Sequence, residues 1–216
     1  MTDVTSNSAT RTAVAASFDA RAATYDQNAM HRELAVAVVR FCDLRGVRTV
    51  LDVATGTGLV PRALLAERAG AAQRDPLRVV AVDLSPGMLA VARQELAEIH
   101  GADVTLLEAD AAALPVPDAS VDLVTCVTAL HLMPDHADVV AEWARVLRPG
   151  GRAVTATFTE FGRTSPRRPY ATDHRPFRTP EALAETVARS GMRLRRHETW
   201  EHGDGDVLLL GELEAA

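Results

Sequence analysis

The sequence predicts an α/β fold: a doubly wound, mostly parallel sheet with an antiparallel strand pair at its end. Three observations carry this. Short β-rich runs alternate with helical patterns from residue 49 to residue 190. The last two runs are joined instead by Gly203-Asp204-Gly205, a hairpin-type connection. The stretch Val50-Leu51-Asp52-Val53-Ala54-Thr55-Gly56-Thr57-Gly58 drives an apolar run into an acid, then into small residues and glycines. A buried strand that enters a Gly-rich turn and then a helix is the phosphate or nucleotide corner of an α/β sheet. Glycine serves there because the backbone turns tightly and approaches a ligand without a Cβ in the way.

Taken in order, residues 1–10 are rich in Ser, Thr and Asn and read as a disordered tail. Residues 11–30 have helical spacing, and residues 31–43 form a stronger amphipathic helix through Leu34, Val38, Val39 and Phe41. Gly46 ends it, and residues 49–53 are the first strand. The helix over 59–70 carries Pro61 in its first turn, where a missing N–H does no harm. A loop over 71–76 leads to the second strand at 78–82, closing on Asp83. Ser85-Pro86 starts a helix whose body is 88–99, stopped by Gly101. Strands follow at 104–108 and 121–127, a helix at 138–147 ended by Pro149-Gly150-Gly151, and a strand at 152–158. A helix at 180–190 and strands at 192–200 and 207–213 complete seven strands. The segment 162–179, rich in proline and arginine, is the one long irregular connection, the kind that binds ligands or stays disordered.

A chain of 216 residues suits one sizeable α/β domain. A net charge of −6 argues against nucleic-acid and anionic-membrane partners, which select a basic face. No apolar run approaches the roughly 20 residues of a membrane span, and the polar start lacks a secretory-signal layout. Cys42 and Cys126 read as isolated buried thiols of a reducing compartment, so a cytoplasmic location is expected. All 23 basic residues are arginine, which excludes a P-loop lysine and a pyridoxal Schiff base.

In an open α/β sheet the ligand sits beyond the carboxyl ends of the strands. The residues expected to converge there are Asp52 to Gly58, Asp83-Leu84, Asp110-Ala111, Val127 to His131 and Phe158 to Phe161. Asp83 lies one β-α unit beyond the glycines, where a carboxylate can accept both hydroxyls of a ribose. Helix capping is the competing role for Asp83, and for Asp110 before the turn at 111–114.

On these residues the chain resembles the class I S-adenosylmethionine-dependent methyltransferases, in the small branch that includes ubiquinone/menaquinone-biosynthesis enzymes. The resemblance runs over about residues 18–160. It rests on Tyr25-Asp26, on Leu51 to Gly58, on Val82-Asp83-Leu84-Ser85-Pro86-Gly87-Met88-Leu89, on Glu108-Ala109-Asp110-Ala111 with Leu114-Pro115, and on Leu147-Arg148-Pro149-Gly150-Gly151. It implies a Rossmann-like, seven-stranded sheet with an antiparallel last strand, S-adenosylmethionine as cofactor and S-adenosylhomocysteine as product. It further implies that the backbone of Ala54, Thr55, Gly56, Thr57 and Gly58 passes under the methionine part, with Asp52 near its amino group. Asp83 would hold the ribose, Leu84 and Met88 would flank the adenine, and Asp110 and Ala111 would meet its edge. Val127 would close the far side, and Tyr25 would come from a helical lid. Ala54 replaces the family's usual first glycine. Pro61 stands where a nicotinamide-binding G-x-G-x-x-G needs glycine, which weakens an oxidoreductase reading.

Methyl transfer from a sulfonium asks the protein to align the acceptor, exclude water and, for a hydroxyl acceptor, remove a proton. His131, after the fourth strand, is the best placed base; packing or solvent contact is its alternative role. His174 and Asp173 are weaker candidates, expected to be exposed. Tyr170, Phe161 and Phe158 are candidates for an apolar acceptor wall. The residues after the fourth strand, His131-Leu132-Met133-Pro134, lack the Asn/Asp-Pro-Pro-aromatic pattern of base-modifying nucleic-acid enzymes. No metal-ligand cluster is visible, and two cysteines are too few for arsenic methylation. The expected organisation is a tail (1–10), a helical lid (11–45), a cofactor-binding core (46–160), a substrate loop (161–179) and a helix with the terminal strand pair (180–216). The expected function is methyl transfer to a small molecule. The alternatives are a catalytically silent S-adenosylmethionine-binding or regulatory protein, or another transferase or oxidoreductase on the same fold. Oligomeric state is not legible.

Overall fold

The computed structural model describes residues 2–70, 76–160, 170–203 and 205–216. Seven strands form one sheet in the order β3-β2-β1-β4-β5-β7-β6. They are β1 (Thr49–Val53), β2 (Arg78–Asp83), β3 (Asp103–Glu108), β4 (Val121–Val127), β5 (Leu147–Glu160), β6 (Met192–Glu201) and β7 (Val207–Ala215). Strands β1 to β5 pair in parallel, while β7 runs antiparallel to both β5 and β6. The chain order therefore reverses beside β1, which places a switch point between β1 and β4.

The side-chain period of two sorts each strand between two cores. Val50, Val79, Ala81, Leu123, Val154, Leu208 and Leu210 face one cluster with α2 (Ala29–Phe41) and α3 (Leu59–Gly70). Leu51, Val53, Val80, Val82, Val124, Cys126 and Leu209 face the other, with α5 (His136–Val146) and α6 (Pro180–Ala188). This alternation puts Asp52 on the α2–α3 face, among apolar neighbours that deny its carboxylate water. Helix α4 (Pro86–Ala97) starts with Ser85 as its N-cap, whose hydroxyl accepts from Met88 N at 3.1 Å.

Two differences from the sequence reading matter. Residues 2–10, expected to be a tail, are the first half of α1 (Thr2–Asp19). Polar composition hid this helix because charge pairs to the rest of the fold hold it: Arg11 reaches Asp110 at 3.1 Å and also pairs with Asp135, which Asn7 bonds as well. Strand β5 begins at Leu147, immediately after α5, so Pro149-Gly150-Gly151 lies inside the strand, with a register shift opposite Val121 and Leu123. Gly151 fits there because a Cβ would meet Arg148 O at 2.9 Å. Among the described residues, no helix is long and apolar enough to cross a membrane.

Candidate active site

The turn after β1 is built for close approach. Ala54, Gly56 and Gly58 all have positive φ (56°, 56° and 81°). For Ala54 that conformation is strained by about 1–2 kcal/mol, at the position where glycine is usual in this fold. At Gly58, an added Cβ would come within 3.2 Å of Leu96 and 3.4 Å of Ala92, so glycine there lets the turn pack on α4. The turn is tied to β2 by Thr55 N donating to Val82 O at 2.9 Å and by Gly56 N donating to Asp83 Oδ2 at 2.7 Å. Asp83 Oδ1 also accepts from Ser85 N at 2.8 Å. Helix capping belongs to Ser85, and Asp83 joins two loops across the mouth of the sheet. Burial raises the Asp83 carboxyl above its ordinary range, against these N–H donors.

Beyond these strand ends lies a cavity of about 830 Å³, open to solvent. Its floor is Ala54, Gly56, Val82, Asp83 and Leu84; its sides are Asp110, Ala111, Val127 and Thr128; its roof is Arg11, Val14 and Phe18 of α1, with Tyr25. A second cavity of about 420 Å³ adjoins it and shares Tyr25, Ala54, Gly56, Val127 and Thr128. Asp52, Thr55, Thr57 and His31 line this smaller space. Asp52 is 2 % exposed; its Oδ1 accepts from Thr125 Oγ1 at 2.6 Å, while Oδ2 is buried with no protein partner. Burial pushes the Asp52 carboxyl up to about 7, and the nearby Asp83 adds to the rise. Tyr25 is half-buried, and desolvation of its phenol raises it above its ordinary range; its side chain meets that of Thr128.

Three contacts hold the N-terminal elements over the cavities. Arg11 meets Asp110 and Asp135; Asp19 accepts from Ser85 Oγ and Gly87 N; Asp26, in the 3-10 turn Ala22–Gln27, accepts from Thr57 and Arg62.

The structure therefore gathers most residues singled out in the sequence. Tyr25, Asp52, Ala54, Thr55, Gly56, Thr57, Asp83, Leu84, Asp110, Ala111 and Val127 line one cavity or both. Gly58, Met88 and His131 line neither. Met88 is fully buried under the first turn of α4. Asp110 also caps its turn, accepting from Ala112 N at 3.0 Å. His131 is 5 % exposed in the 3-10 turn Leu130–Leu132, stacked on His174 at 4.2 Å with Phe158 edge-on at 5.9 Å. His174, expected to be exposed, is thus half-buried, and His131 takes up a packing position. Tyr170 is buried and its hydroxyl accepts from Arg21 at 3.4 Å; Phe161 lies outside the described residues. Sequence reasoning missed Arg11, Val14 and Phe18 as lining residues, while Thr128 fell within the expected stretch Val127 to His131. Thr128 carries a signal only the backbone reveals: φ of 54° at a β-branched residue, the kind of strain that gathers at functional sites. Among the described residues, no group of three or more His, Cys, Asp or Glu is placed to hold a metal ion.

The fold and the paired cavities define a Rossmann-like site at the carboxyl ends of β1, β2 and β4. The same fold appears in the crystal structure of magnesium protoporphyrin IX methyltransferase from Synechocystis PCC 6803 with bound S-adenosylmethionine (TM-score 0.61, 17 % identity, 86 % of this chain and 80 % of that one). Residues 51–155 match the family described as a methyltransferase domain. Demethylmenaquinone methyltransferase of Thermus thermophilus is 44 % identical over 111 residues, 51 % of this chain and 47 % of that protein. Malonyl-[acyl-carrier protein] O-methyltransferase of Hahella chejuensis is 35 % identical over 161 residues, 73 % of this chain and 53 % of that protein. The chain spans about half the length of these curated relatives. Over the matched residues the chain is similar to methyltransferases, those of quinone biosynthesis among them.

The residues present fit that family's cofactor. A cradle of positive-φ residues leaves open space above Gly56, a half-buried acid stands at the end of β2, and an acid with an unpartnered oxygen stands at the end of β1.

Proposed function

We propose that this chain transfers a methyl group from S-adenosylmethionine to a small, largely apolar acceptor. The observation that carries the reading is the pair of adjoining cavities, which Asp83 borders on one side and Asp52 on the other. S-adenosylmethionine supplies a methyl group on a sulfonium; transfer breaks the carbon–sulfur bond, leaves S-adenosylhomocysteine and forms the bond to the acceptor. In this reading Asp83 accepts from the ribose hydroxyls, and Leu84, Asp110 and Ala111 border the adenine. Tyr25, Ala54 to Gly58 and Val127 hold the methionine end, with Asp52 near its ammonium. The residues of α1 that line the cavity limit the access of water to the reacting atoms, which strengthens the electrostatic contacts inside.

An apolar acceptor is supported by the apolar side chains lining the larger cavity, Val14, Phe18, Leu132, Met133 and Val139. Residues 11–45 act as a lid, 46–160 carry the cofactor, 161–179, of which 161–169 lie outside the described residues, meet the acceptor, and 180–216 complete the sheet. A cytoplasmic location is supported by Cys42 and Cys126, both buried and unlinked. The net charge of −6 supports a partner other than nucleic acid. Calorimetry against S-adenosylmethionine, S-adenosylhomocysteine and NADH tests the cofactor class; binding of NADH alone, or of none, overturns the reading. A screen of small-molecule acceptors with a labelled methyl donor then tests catalysis. Tight cofactor binding with no labelled product across that screen favours a catalytically silent binding protein.

A further inference from the structure

Helix α1 differs from the other helices in what holds it. None of its described side chains, from Asn7 to Asp19, is buried, and none of them belongs to either core cluster. Helix α2, by contrast, buries Leu34, Val38 and Val39 among others. Val14 and Phe18 of α1 line the larger cavity, so they leave water fully only when that cavity is filled.

The helix is tied at two places. At its end, beside the turn at residues 20–21, Asp19 accepts from Ser85 Oγ at 2.6 Å and from Gly87 N at 2.8 Å, and Ala22 just beyond is buried. Two turns earlier, Arg11 bridges two walls of the larger cavity. Its Nη1 meets Asp110 at 3.1 Å, after β3, and its Nη2 donates to Asp135, before α5; all three residues line the cavity. Asp135 holds the N-cap position of α5, yet its side chain caps nothing among the described residues of that helix. Its two oxygens accept from Arg11 and Asn7 instead, bonds that exist only while α1 is seated. The side chains of Arg11, Asp110 and Asp135 are 32, 33 and 14 % exposed. Ion pairs this accessible shift an equilibrium by about fivefold at most each. That biases the seat of α1 without locking it.

We propose that Arg11 is a positioning residue, a clasp that seats α1 across Asp110 and Asp135 and releases it to swing about residues 20–21 when the larger cavity takes up or gives up its ligand. Resting on the methyltransferase reading above, that ligand is the nucleoside of the cofactor, which lies beneath the clasp. Ligand and clasp favour the same seated helix: the ligand covers Val14 and Phe18, and the clasp holds them over it. Each therefore strengthens the other.

Stopped-flow displacement of S-adenosylhomocysteine, together with amide exchange of the ligand-free protein, tests this. Arg11→Ala should speed dissociation by about tenfold, the loss of two such pairs. It should also speed exchange in α1 and leave β1 to β5 at the parent rate. Alanine is the strongest helix former, so a looser α1 reports the lost pairs and not a weaker helix. Raising salt from about 50 to about 500 mM should speed dissociation severalfold in the parent and have little effect in Arg11→Ala, because ions screen part-exposed pairs. Asp135→Asn should act in the same direction, and the double variant should be no faster than Arg11→Ala alone. Arg11→Lys, which keeps the charge on a single nitrogen, should fall between parent and Arg11→Ala. Equal salt dependence in parent and Arg11→Ala, or effects of Arg11 and Asp135 that simply add, would overturn the clasp. So would α1 exchange at the parent rate in Arg11→Ala, a readout that needs no ligand. A parent that does not bind S-adenosylhomocysteine overturns the methyltransferase reading instead, and the exchange measurement still judges the clasp.

Discussion

Asp19, near the end of α1, accepts a hydrogen bond from Gly87 N at 2.8 Å, and a Cβ at Gly87 would stand 2.7 Å from the same oxygen and 3.1 Å from Asp19 Cα. The glycine is therefore required by the neighbour packed on it and not by its own helix. Gly87→Ala should favour α4 locally by about 0.5–1 kcal/mol, yet push α1 off its seat. The expected outcome is a melting temperature near the parent's, faster amide exchange in α1, and S-adenosylhomocysteine affinity lowered by about tenfold. Unchanged exchange in α1 would show that the helix accommodates the methyl group.

Asp83 spans the β1 turn and the start of α4 through Gly56 N and Ser85 N. Asp83→Ala is expected to weaken binding of both S-adenosylhomocysteine and 5′-methylthioadenosine by about 1–3 kcal/mol. Both ligands carry the ribose, so both should suffer. Calorimetry that shows full affinity for either would remove Asp83 from the ribose site.

Asp52 links pH to stability in an unusual direction for a carboxylate. Burial raises it to about 7 in the folded protein, against about 3.9 in an unfolded chain. Between those values the folded state keeps a proton that the unfolded state releases, so this group makes stability fall as pH rises through the window. Asp52→Asn keeps an acceptor for Thr125 and removes the charge. At pH 8 it should raise the stability of the free protein by roughly 2–4 kcal/mol and flatten that slope, while weakening S-adenosylhomocysteine. Denaturant melts from pH 4 to pH 8 check the first part; a variant no more stable than the parent at pH 8 contradicts it.

Glu212 is 1 % exposed and is surrounded by Arg152, Arg195 and Arg196 at 3.4, 2.8 and 2.6 Å. Burial works to raise its carboxyl, but the bonds from Arg196 and Arg195 prevail and hold it below its ordinary range. Its contribution is present above the unfolded value of about 4.3 and is lost as pH falls through the folded value. Glu212→Gln should destabilise the protein by about 1–3 kcal/mol, because a buried group loses charge-assisted bonds from arginines that themselves stay partly exposed to water. Cofactor affinity should stay at the parent level, since the network lies away from both cavities. A loss of affinity at unchanged stability would argue against that separation.

His131 packs between His174 and Phe158. Its replacement by alanine should lower the melting temperature and leave saturating turnover within about tenfold of the parent. A fall of about 10²–10⁴-fold with the melting temperature unchanged would return His131 to the role of general base.

How much was legible in the sequence divides along physical lines. Strands β1 to β4 and the glycine turn were readable because their information is local: alternating or continuous apolar runs, turn residues and a capping Ser85-Pro86. The acids at the strand exits followed, since a parallel sheet sends every such loop to one end. The first half of α1 was not readable, because Asn7 and Arg11 hold it in place through Asp135, more than 120 residues away in the chain. Likewise, a histidine after a strand exit looks the same in sequence whether it lines a cavity or packs beneath it. By itself, then, the sequence determined the α/β class, the nucleotide corner and the acids around it. Only the tertiary structure decided that His31 borders the smaller cavity while His131 is packed away, because side-chain burial depends on which distant elements cover each position.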